Sequence, residues 1–439
     1  MRDLVVALII FGTIPFILAR PYIGLLVWSW IGYMNPHRLT FGFAYNFPWV
    51  MLIATVTLVS LVVSKERKRI PMSTFTVLLF LFLAWSAVTT MFAVQPASAI
   101  DKLEEFAKVL VMVFVTLMVV NRRERMHWLV WVIAVSLGFY GLKGGIFTLT
   151  HGGSSHALGP AGSFISDNNA FAMALCMTLP LMRYLQLHSA RKWIKVGLGI
   201  TMVLTGITVL GTYSRGGLVG LVVVGAALLL KGRGRIALIL ALTVVGFTAY
   251  HFMPAQWTER MGTLHNASQT DSGQTRIESW EFATNLALHR PLVGGGFDAY
   301  ENAGIWAQYA PKEAVQRAVH SIYFRVLGEQ GFPGLILFVA LLATSYRSCR
   351  KVRKKTRDLP EQRWAFDLAS MLQVSMVAFM AAGAFLPMTY FDMTYQLMAL
   401  SVLLELYVRQ VVEQESDKRA ASPPRMPVSA SHPHQIVSG

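Results

Sequence analysis

The sequence contains little cysteine and little charge. Its 439 residues include two cysteines, and charged residues make up 14% of the chain, against roughly 25% in an average soluble domain. Cys176 lies within an apolar run and Cys349 lies beside a basic cluster, so a disulfide between them is not expected. The shortage of charge excludes an ordinary soluble domain, and the shortage of cysteine excludes a disulfide scaffold.

Apolar residues are abundant instead: 54% of the chain is hydrophobic, and its mean hydropathy is +0.49. A spanning helix needs about 20 mostly apolar residues. Such runs predict membrane helices near 48–64, 71–92, 103–120, 127–150, 167–187, 193–213, 215–231, 235–252, 318–346, 365–386 and 391–411.

The start of the chain allows two interpretations. Two shorter apolar runs, 4–18 and 21–34, flank Arg20 and Pro21. We favour one broken element that crosses once, whereas two separate crossings would move the amino terminus outside. The predicted fold is an all-α integral membrane protein with about 12 transmembrane helices and a large, partly helical periplasmic loop before the last helices.

Acidic residues are scarce relative to basic ones, 23 against 39, which gives a net charge of +16. All of this net charge lies in five clusters between apolar runs, at residues 65–69, 122–125, 191–195, 231–235 and 347–363. Basic loops of this kind orient membrane proteins from the cytoplasmic side. The charge therefore does not indicate a nucleic-acid partner, and it predicts that all five clusters face the cytoplasm.

The pattern of spans divides the chain into four parts. Transmembrane helices are predicted in 1–252 and 318–412, a periplasmic loop domain in 253–317 and a disordered cytoplasmic tail in 413–439. The loop contains a helix-like segment, Arg276 to Leu288, followed by Arg290-Pro291 and three successive glycines. A loop this long in a compact protein is usually a lid or a binding element.

Three side chains on the predicted outer side are candidates for chemistry. Arg215 lies at a predicted helix start, where free N–H groups and the guanidinium favour the binding of phosphate. Arg276 begins the loop helix, and His320 begins the next predicted span. Each also has an ordinary interpretation: a lipid-anchoring arginine, an arginine paired with a helix carboxylate, and a solvated histidine.

Five further residues form a second rank. Asp167 and Asn168 open a span on the same side, where a helix cap explains them equally well. Lys143 adds positive potential or anchors to lipid, and Arg290 precedes the glycine turn. Tyr323 is predicted to share one helical stripe with His320.

These motifs resemble a known family. The stretch 320–334, the Ser-Arg-Gly-Gly turn at 214–217, and the run from Arg276-Ile-Glu-Ser-Trp to Arg290-Pro-Leu-Val-Gly-Gly-Gly-Phe look like the signature region of the bacterial O-antigen ligase and polymerase superfamily. The likeness extends over nearly the whole chain, and the motifs occur in the right order. Residues 20–37 further resemble the branch of O-glycosylation ligases linked to exosortases.

The resemblance implies an inverting, metal-independent glycosyl transfer at the periplasmic face of the bacterial inner membrane, without a cofactor. A glycan would move from undecaprenyl pyrophosphate to an acceptor hydroxyl, typically on the lipid A core. Arg215 and Arg276 would bind the pyrophosphate, and His320 would accept the hydroxyl proton as general base.

Three alternatives stay open at this point. An O-antigen polymerase or a protein O-glycosylation ligase would use the same donor with a different acceptor, and the sequence does not distinguish lipid A core, protein and growing glycan. A transporter of a lipid-linked or anionic substrate could also use outward arginines, although transporters usually carry ionisable groups near the midplane. A structural assembly factor would need none of the three side chains.

Overall fold

A computed structural model of the chain describes residues 1–66, 69–231, 235–262 and 271–421, and this part of the chain contains helices and no β-strand. The all-α fold that the sequence predicts is therefore confirmed for these residues. The first ten helices coincide with the apolar runs. They are α1 (Arg2–Ala19), α2 (Pro21–Met34), α3 (Trp49–Val63), α4 (Thr74–Met91), α5 (Pro96–Val119), α6 (Arg123–Thr150), α7 (Asn168–His188), α8 (Lys192–Gly211), α9 (Arg215–Lys231) and α10 (Arg235–His251).

Six further helices follow. The described residues of 253–317 include α11 (Ala255–Gly262), α12 (Asp271–His289) and α13 (Ala303–Tyr309). Three long helices complete the chain, namely α14 (Ile322–Thr356), α15 (Arg363–Gly383) and α16 (Asp392–Ala421). Residues 413–421, predicted as the start of a disordered tail, instead continue α16. Residues 422–439 lie outside the described part.

Seven of the described helices are long and apolar enough to cross a membrane, or eight if the bent pair α10 and α11 counts as one span. Two shorter apolar helices, α3 and most of α9, fall below that length. By length and composition the described helices thus give fewer than the twelve spans that the sequence predicts. The difference arises because several apolar runs form helices of only 14 to 17 residues, such as α2 and α9.

The first two helices run side by side in opposite directions. The start of α1 and the end of α2 both lie near residues 35–44, since the Asp3 carboxylate accepts hydrogen bonds from the backbone N–H groups of Gly42 (2.9 Å) and Ala44 (3.1 Å). At the other end Gly24 lies against Ile17 across the Arg20 break. This corrects the single broken element that the sequence analysis favours and matches the alternative of two separate helices. Proline at the first position of α2 begins the second helix after an extended Arg20.

The helix bundle has two polar ends. One, here called the basic face, carries Arg20, Arg122 and Arg125, which line one cavity together with Glu66. The opposite end, here called the site face, brings together the start of α7, the turn before α9, the start of α14 and the end of α15. Asn168 is hydrogen-bonded to Thr212 there, and Gly383 lies against Ile322.

Small residues allow the helices to approach closely. A Cβ on Gly145 of α6 would lie 2.4 Å from the Leu204 carbonyl of α8, and one on Gly217 of α9 would lie 2.5 Å from Ala172 of α7. Close approach at small residues is the usual way in which membrane helices associate. The α7 helix is the most enclosed, since nearly every side chain from Ala170 to Leu185 is buried.

The described residues of 271–319 pack at the site face around a small core of their own. Phe282 of α12 and Trp306 of α13 stack with ring centroids 4.6 Å apart, and Leu286, Ala299 and Val319 are buried beside them. The glycine turn then docks on α14, because the N–H groups of Gly295 and Gly296 donate to the carbonyls of Gly328 (2.8 Å) and Glu329 (2.9 Å). The α14 helix accommodates this at Gly331, whose φ of 67° and lack of Cβ admit the neighbouring Leu292 carbonyl.

Candidate functional site

Arg215 begins α9, directly after a tight turn on the site face. Within that turn Tyr213 adopts a left-handed conformation with φ 57°, and its hydroxyl donates to the Gly153 carbonyl at 2.6 Å. The Ser214 hydroxyl caps the helix by accepting from the N–H of Gly217 at 3.0 Å. Arg215 itself is buried, with 7% of its surface exposed. The glycines after it serve helix packing, since Gly217 faces α7.

Polar residues at the start of α7 hold this turn in place. The Asn168 side-chain amide donates to the Thr212 backbone carbonyl at 2.8 Å, and the Ser214 hydroxyl donates to the side-chain Oδ1 of Asn169 at 2.7 Å. Asp167 caps α7 by accepting from the N–H groups of Asn169 and Ala170. Asn168 and its neighbour thus position the segment that carries Arg215, while Asp167 has the capping role that the sequence analysis left open.

Arg276 and His320 are brought together by the packing of α12 on the segment before α14. The Trp280 indole N–H donates to the His320 carbonyl at 3.2 Å, and the Arg317 guanidinium donates to the Thr275 hydroxyl at 2.9 Å. Trp280 stacks on Phe324 with an interplanar angle of 11°. These contacts fix the first turns of α12, including Arg276, beside the histidine.

His320 is an unusual histidine in two respects. Its Nδ1 atom is buried and has no hydrogen-bond partner among the described residues, although buried polar atoms are normally paired. Burial, and after it the charge of Arg276, lowers the pKa of His320 to about 4; Arg317 and Arg325 act in the same direction and Asp167 opposes them. The imidazole is therefore neutral at pH 7 and can accept a proton.

A third arginine belongs to the same positive region. Burial, followed by the charges of Arg215 and Arg260, lowers the pKa of the Arg276 guanidinium, and Arg260 also repels Arg215. Arg260 lies exposed in the last turn of α11. Guanidinium groups from α9, α11 and α12 thus act on one another electrostatically, and such a positive region suits an anionic ligand.

A buried ionic network lies next to this region. The Arg325 guanidinium contacts Asp298 at 2.8 Å and Glu329 at 2.9 Å, and donates to the Pro387 carbonyl at 2.9 Å. Tyr390 donates its hydroxyl hydrogen to the second Glu329 oxygen at 2.6 Å. Both carboxylate side chains are buried, so the network fastens the glycine turn and the loop after α15 to α14.

Three second-rank residues lie apart from the cluster of arginines and His320. Lys143 is exposed on α6, the Arg290 guanidinium donates to the Phe92 carbonyl, and the Tyr323 hydroxyl donates to the Met380 carbonyl at 3.3 Å. Arg290 and Tyr323 thus have structural partners. The stripe predicted for His320 and Tyr323 is wrong, because His320 precedes the helix and Ser321 caps it.

The sequence analysis missed Arg260 and the Arg325 network. Arg325 and Glu329 are four residues apart in a helix, a spacing that indicates an ion pair, and this signal was available in the sequence. Their partner Asp298 lies 27 residues earlier, and the contact depends on how the glycine turn docks. For Arg260 the sequence offers no local signal.

Comparisons with known families cover most of the chain in two segments. The O-antigen ligase family model matches residues 200–339, a range that includes the three arginines and His320. A family of unknown function (DUF5935) matches residues 1–190. A search among curated proteins gives no match. The apolar helices make this a multi-pass membrane protein, and its residues 200–339 form a domain of the O-antigen ligase family, which supports the resemblance to the O-antigen ligase superfamily.

Proposed function

We propose that the protein is an O-antigen ligase-type inverting glycosyltransferase that moves a glycan from undecaprenyl pyrophosphate to an acceptor hydroxyl. The observation that carries this proposal is the position of the buried, unpartnered Nδ1 of His320 beside the positive charge of Arg276. A base next to an anion site is what glycosyl transfer from a pyrophosphate requires. The family's ligase and polymerase activities support the same reaction class.

The charge distribution supports a membrane orientation with the site face away from the cytoplasm. The cavity with Arg20, Arg122 and Arg125 lies at the opposite end of the bundle from the site face, and basic loops favour the cytoplasm. The site face is then periplasmic, in the bacterial inner membrane. In that arrangement the segment 253–317 covers the reaction from the periplasmic side.

Arg215 and Arg276 would hold the pyrophosphate of the donor. Each guanidinium can form paired hydrogen bonds with phosphate oxygens. The amino-terminal end of α9 adds the positive end of the helix dipole beside Arg215. As the glycosidic bond to phosphate breaks, these groups stabilise the charge that develops on the departing oxygen.

His320 would act as the general base. The acceptor oxygen forms a bond to the anomeric carbon while the bond from that carbon to the phosphate oxygen breaks, and the imidazole takes the hydroxyl proton. The electron pair leaves on undecaprenyl pyrophosphate. Attack opposite the leaving group inverts the anomeric centre.

Donor binding would also strengthen the base. The positive charge of Arg276 is one cause of the low pKa of His320. A bound pyrophosphate offsets that charge, so the pKa of His320 rises towards its ordinary value when the donor is present. The imidazole becomes a better proton acceptor only after the donor has bound, which favours an order of donor first and acceptor second.

The acceptor is proposed to be the lipid A core. A polymerase acting on a growing glycan, or a ligase acting on a protein hydroxyl, would share the donor site and the base. All three differ from a transporter, for which the same arginines would bind substrate without transfer.

A reconstituted transfer assay tests the proposal. Purified protein in nanodiscs receives undecaprenyl pyrophosphate-linked glycan and, in separate reactions, a lipid A core, a hydroxylated peptide or a second lipid-linked glycan. We expect transfer to lipid A core by wild type and by His289→Ala, an exposed histidine of α12. His320→Ala should lose transfer while it still binds donor. Full transfer by His320→Ala would contradict the assignment of the base, and transfer only to peptide or to glycan would replace the acceptor.

A further inference from the structure

The α11 helix brings a cationic side chain to the donor site from outside the bundle. It follows α10 after a bend of 109° and therefore lies across the site face. The Trp257 indole N–H donates to the Leu210 carbonyl at 3.0 Å, and Trp257 and Met261 are buried. Leu210 lies at the end of α8, immediately before the turn that carries Arg215.

This anchor places α11, the helix that carries Arg260, beside the α8–α9 turn. Arg260 is three residues after Trp257 in the same helix, and it acts electrostatically on Tyr213, Arg215 and Arg276. Two of these groups come from the α8–α9 turn and one from α12. Arg260 therefore lies within electrostatic range of both arginines that are proposed to hold the donor, although it comes from a different helix.

We propose that Arg260 is a third phosphate ligand and that it makes the donor site selective for a pyrophosphate over a single phosphate. This inference rests on the proposed function, because it concerns the same donor. A pyrophosphate linkage presents two anionic phosphates, and its departure leaves a further negative charge. A single phosphate is satisfied by Arg215 and Arg276, whereas the second phosphate calls for another cation.

Phospholipid headgroups offer the same chemistry. An exposed arginine on a helix at the membrane surface commonly binds lipid phosphate. The repulsion that Arg260 exerts on both Arg215 and Arg276 favours the donor, since a headgroup ligand would not require that proximity. The experiment below separates the two sources.

Binding of two lipids measures the selectivity without depending on turnover. Undecaprenyl pyrophosphate and undecaprenyl phosphate are titrated against purified protein in nanodiscs of neutral lipid, and the dissociation constants follow from protection against thermal unfolding. Arg260→Gln should weaken pyrophosphate binding about tenfold, the effect of one charge-assisted hydrogen bond. Monophosphate binding should change by less than about twofold, because that ligand keeps its two arginines.

Two variants serve as controls. Arg260→Lys keeps the charge but not the paired geometry and should recover part of the pyrophosphate affinity. Lys312→Gln removes an exposed cation of the same segment and should leave both dissociation constants unchanged.

Each contrary outcome overturns the inference. Equal weakening of both ligands by Arg260→Gln would show a general charge effect, and no weakening would exclude contact with the donor. A difference between wild type and Arg260→Gln that occurs only in nanodiscs of anionic phospholipid would assign Arg260 to headgroups. The proposed function is tested separately: it would be contradicted if the wild type showed no glycan transfer in the preceding assay.

Discussion

Replacement of Arg325 by methionine tests the buried network that docks the glycine turn. Arg325 contacts two carboxylates, Asp298 and Glu329, and the three side chains have exposures of 13%, 2% and 4%. Removing one partner of a buried ion pair leaves uncompensated charge and costs about 3–5 kcal/mol. Glu329 keeps its bond from Tyr390, so we expect the lower part of that range. The variant should also lose glycan transfer, because the turn would no longer be held on α14.

The assay is unfolding of purified protein by SDS in mixed micelles, followed by tryptophan fluorescence. Arg409→Met is the matched control, because it breaks an exposed pair with Glu413 whose side chains are 62% and 58% accessible. Such pairs contribute about 0–1 kcal/mol. A loss of less than about 1 kcal/mol in Arg325→Met would refute the view that this network holds the turn.

Three further predictions concern the site. Arg276→Gln should raise the pKa of His320, because the substitution removes a positive charge that lowers this pKa. The acid limb of the profile of transfer rate against pH should then lie at higher pH than in wild type. An unchanged acid limb would argue against the proximity of Arg276 and His320. Asn169→Ala removes the acceptor of the Ser214 hydroxyl and should weaken donor binding by about 1–3 kcal/mol, measured by lipid titration, with the exposed Asn121→Ala as control. Trp257→Phe removes the bond to Leu210 and should reduce the preference for pyrophosphate less than Arg260→Gln does, whereas the exposed Trp193→Phe should not change it.

Much of the fold could be predicted from the sequence, because helices in a membrane satisfy their own backbone hydrogen bonds and apolar runs reveal them. The positions of α3 to α10 and of α14 to α16 agree with the predicted runs. The paired arrangement of α1 and α2 could not be predicted, since it depends on contacts of Asp3 and Ile17 with distant residues. The helical extension of α16 past residue 413 was hidden by the polar composition there.

The positions of two candidate residues could be predicted for a physical reason. Arg215 begins α9 and His320 lies just before α14, and the sequence pattern indicates both helix starts. Arg260 was not identified, because its place depends on the bend before α11 and on the Trp257 anchor. Tyr323 and Arg290 were candidates by proximity in sequence, yet their hydrogen bonds are to backbone carbonyls elsewhere in the fold.

The two matched segments of the chain meet at the site. Asn168 and Asn169 belong to the segment shared with a family of unknown function, while the turn that they hold and Arg215 belong to the O-antigen ligase domain. The first segment therefore supports the turn that carries Arg215 directly, through two side-chain hydrogen bonds. A chain reduced to the ligase domain would lack this support.

The most direct test of the central claim is a single-turnover measurement with enzyme in excess over radiolabelled undecaprenyl pyrophosphate-linked glycan. Wild type and His320→Ala are first matched for donor binding and are then mixed with lipid A core. We predict that the wild type forms labelled product with inversion at the anomeric centre, while His320→Ala binds the donor equally and forms product at least about 100-fold more slowly. Equal single-turnover rates in the two proteins would contradict the assignment of His320 as the base.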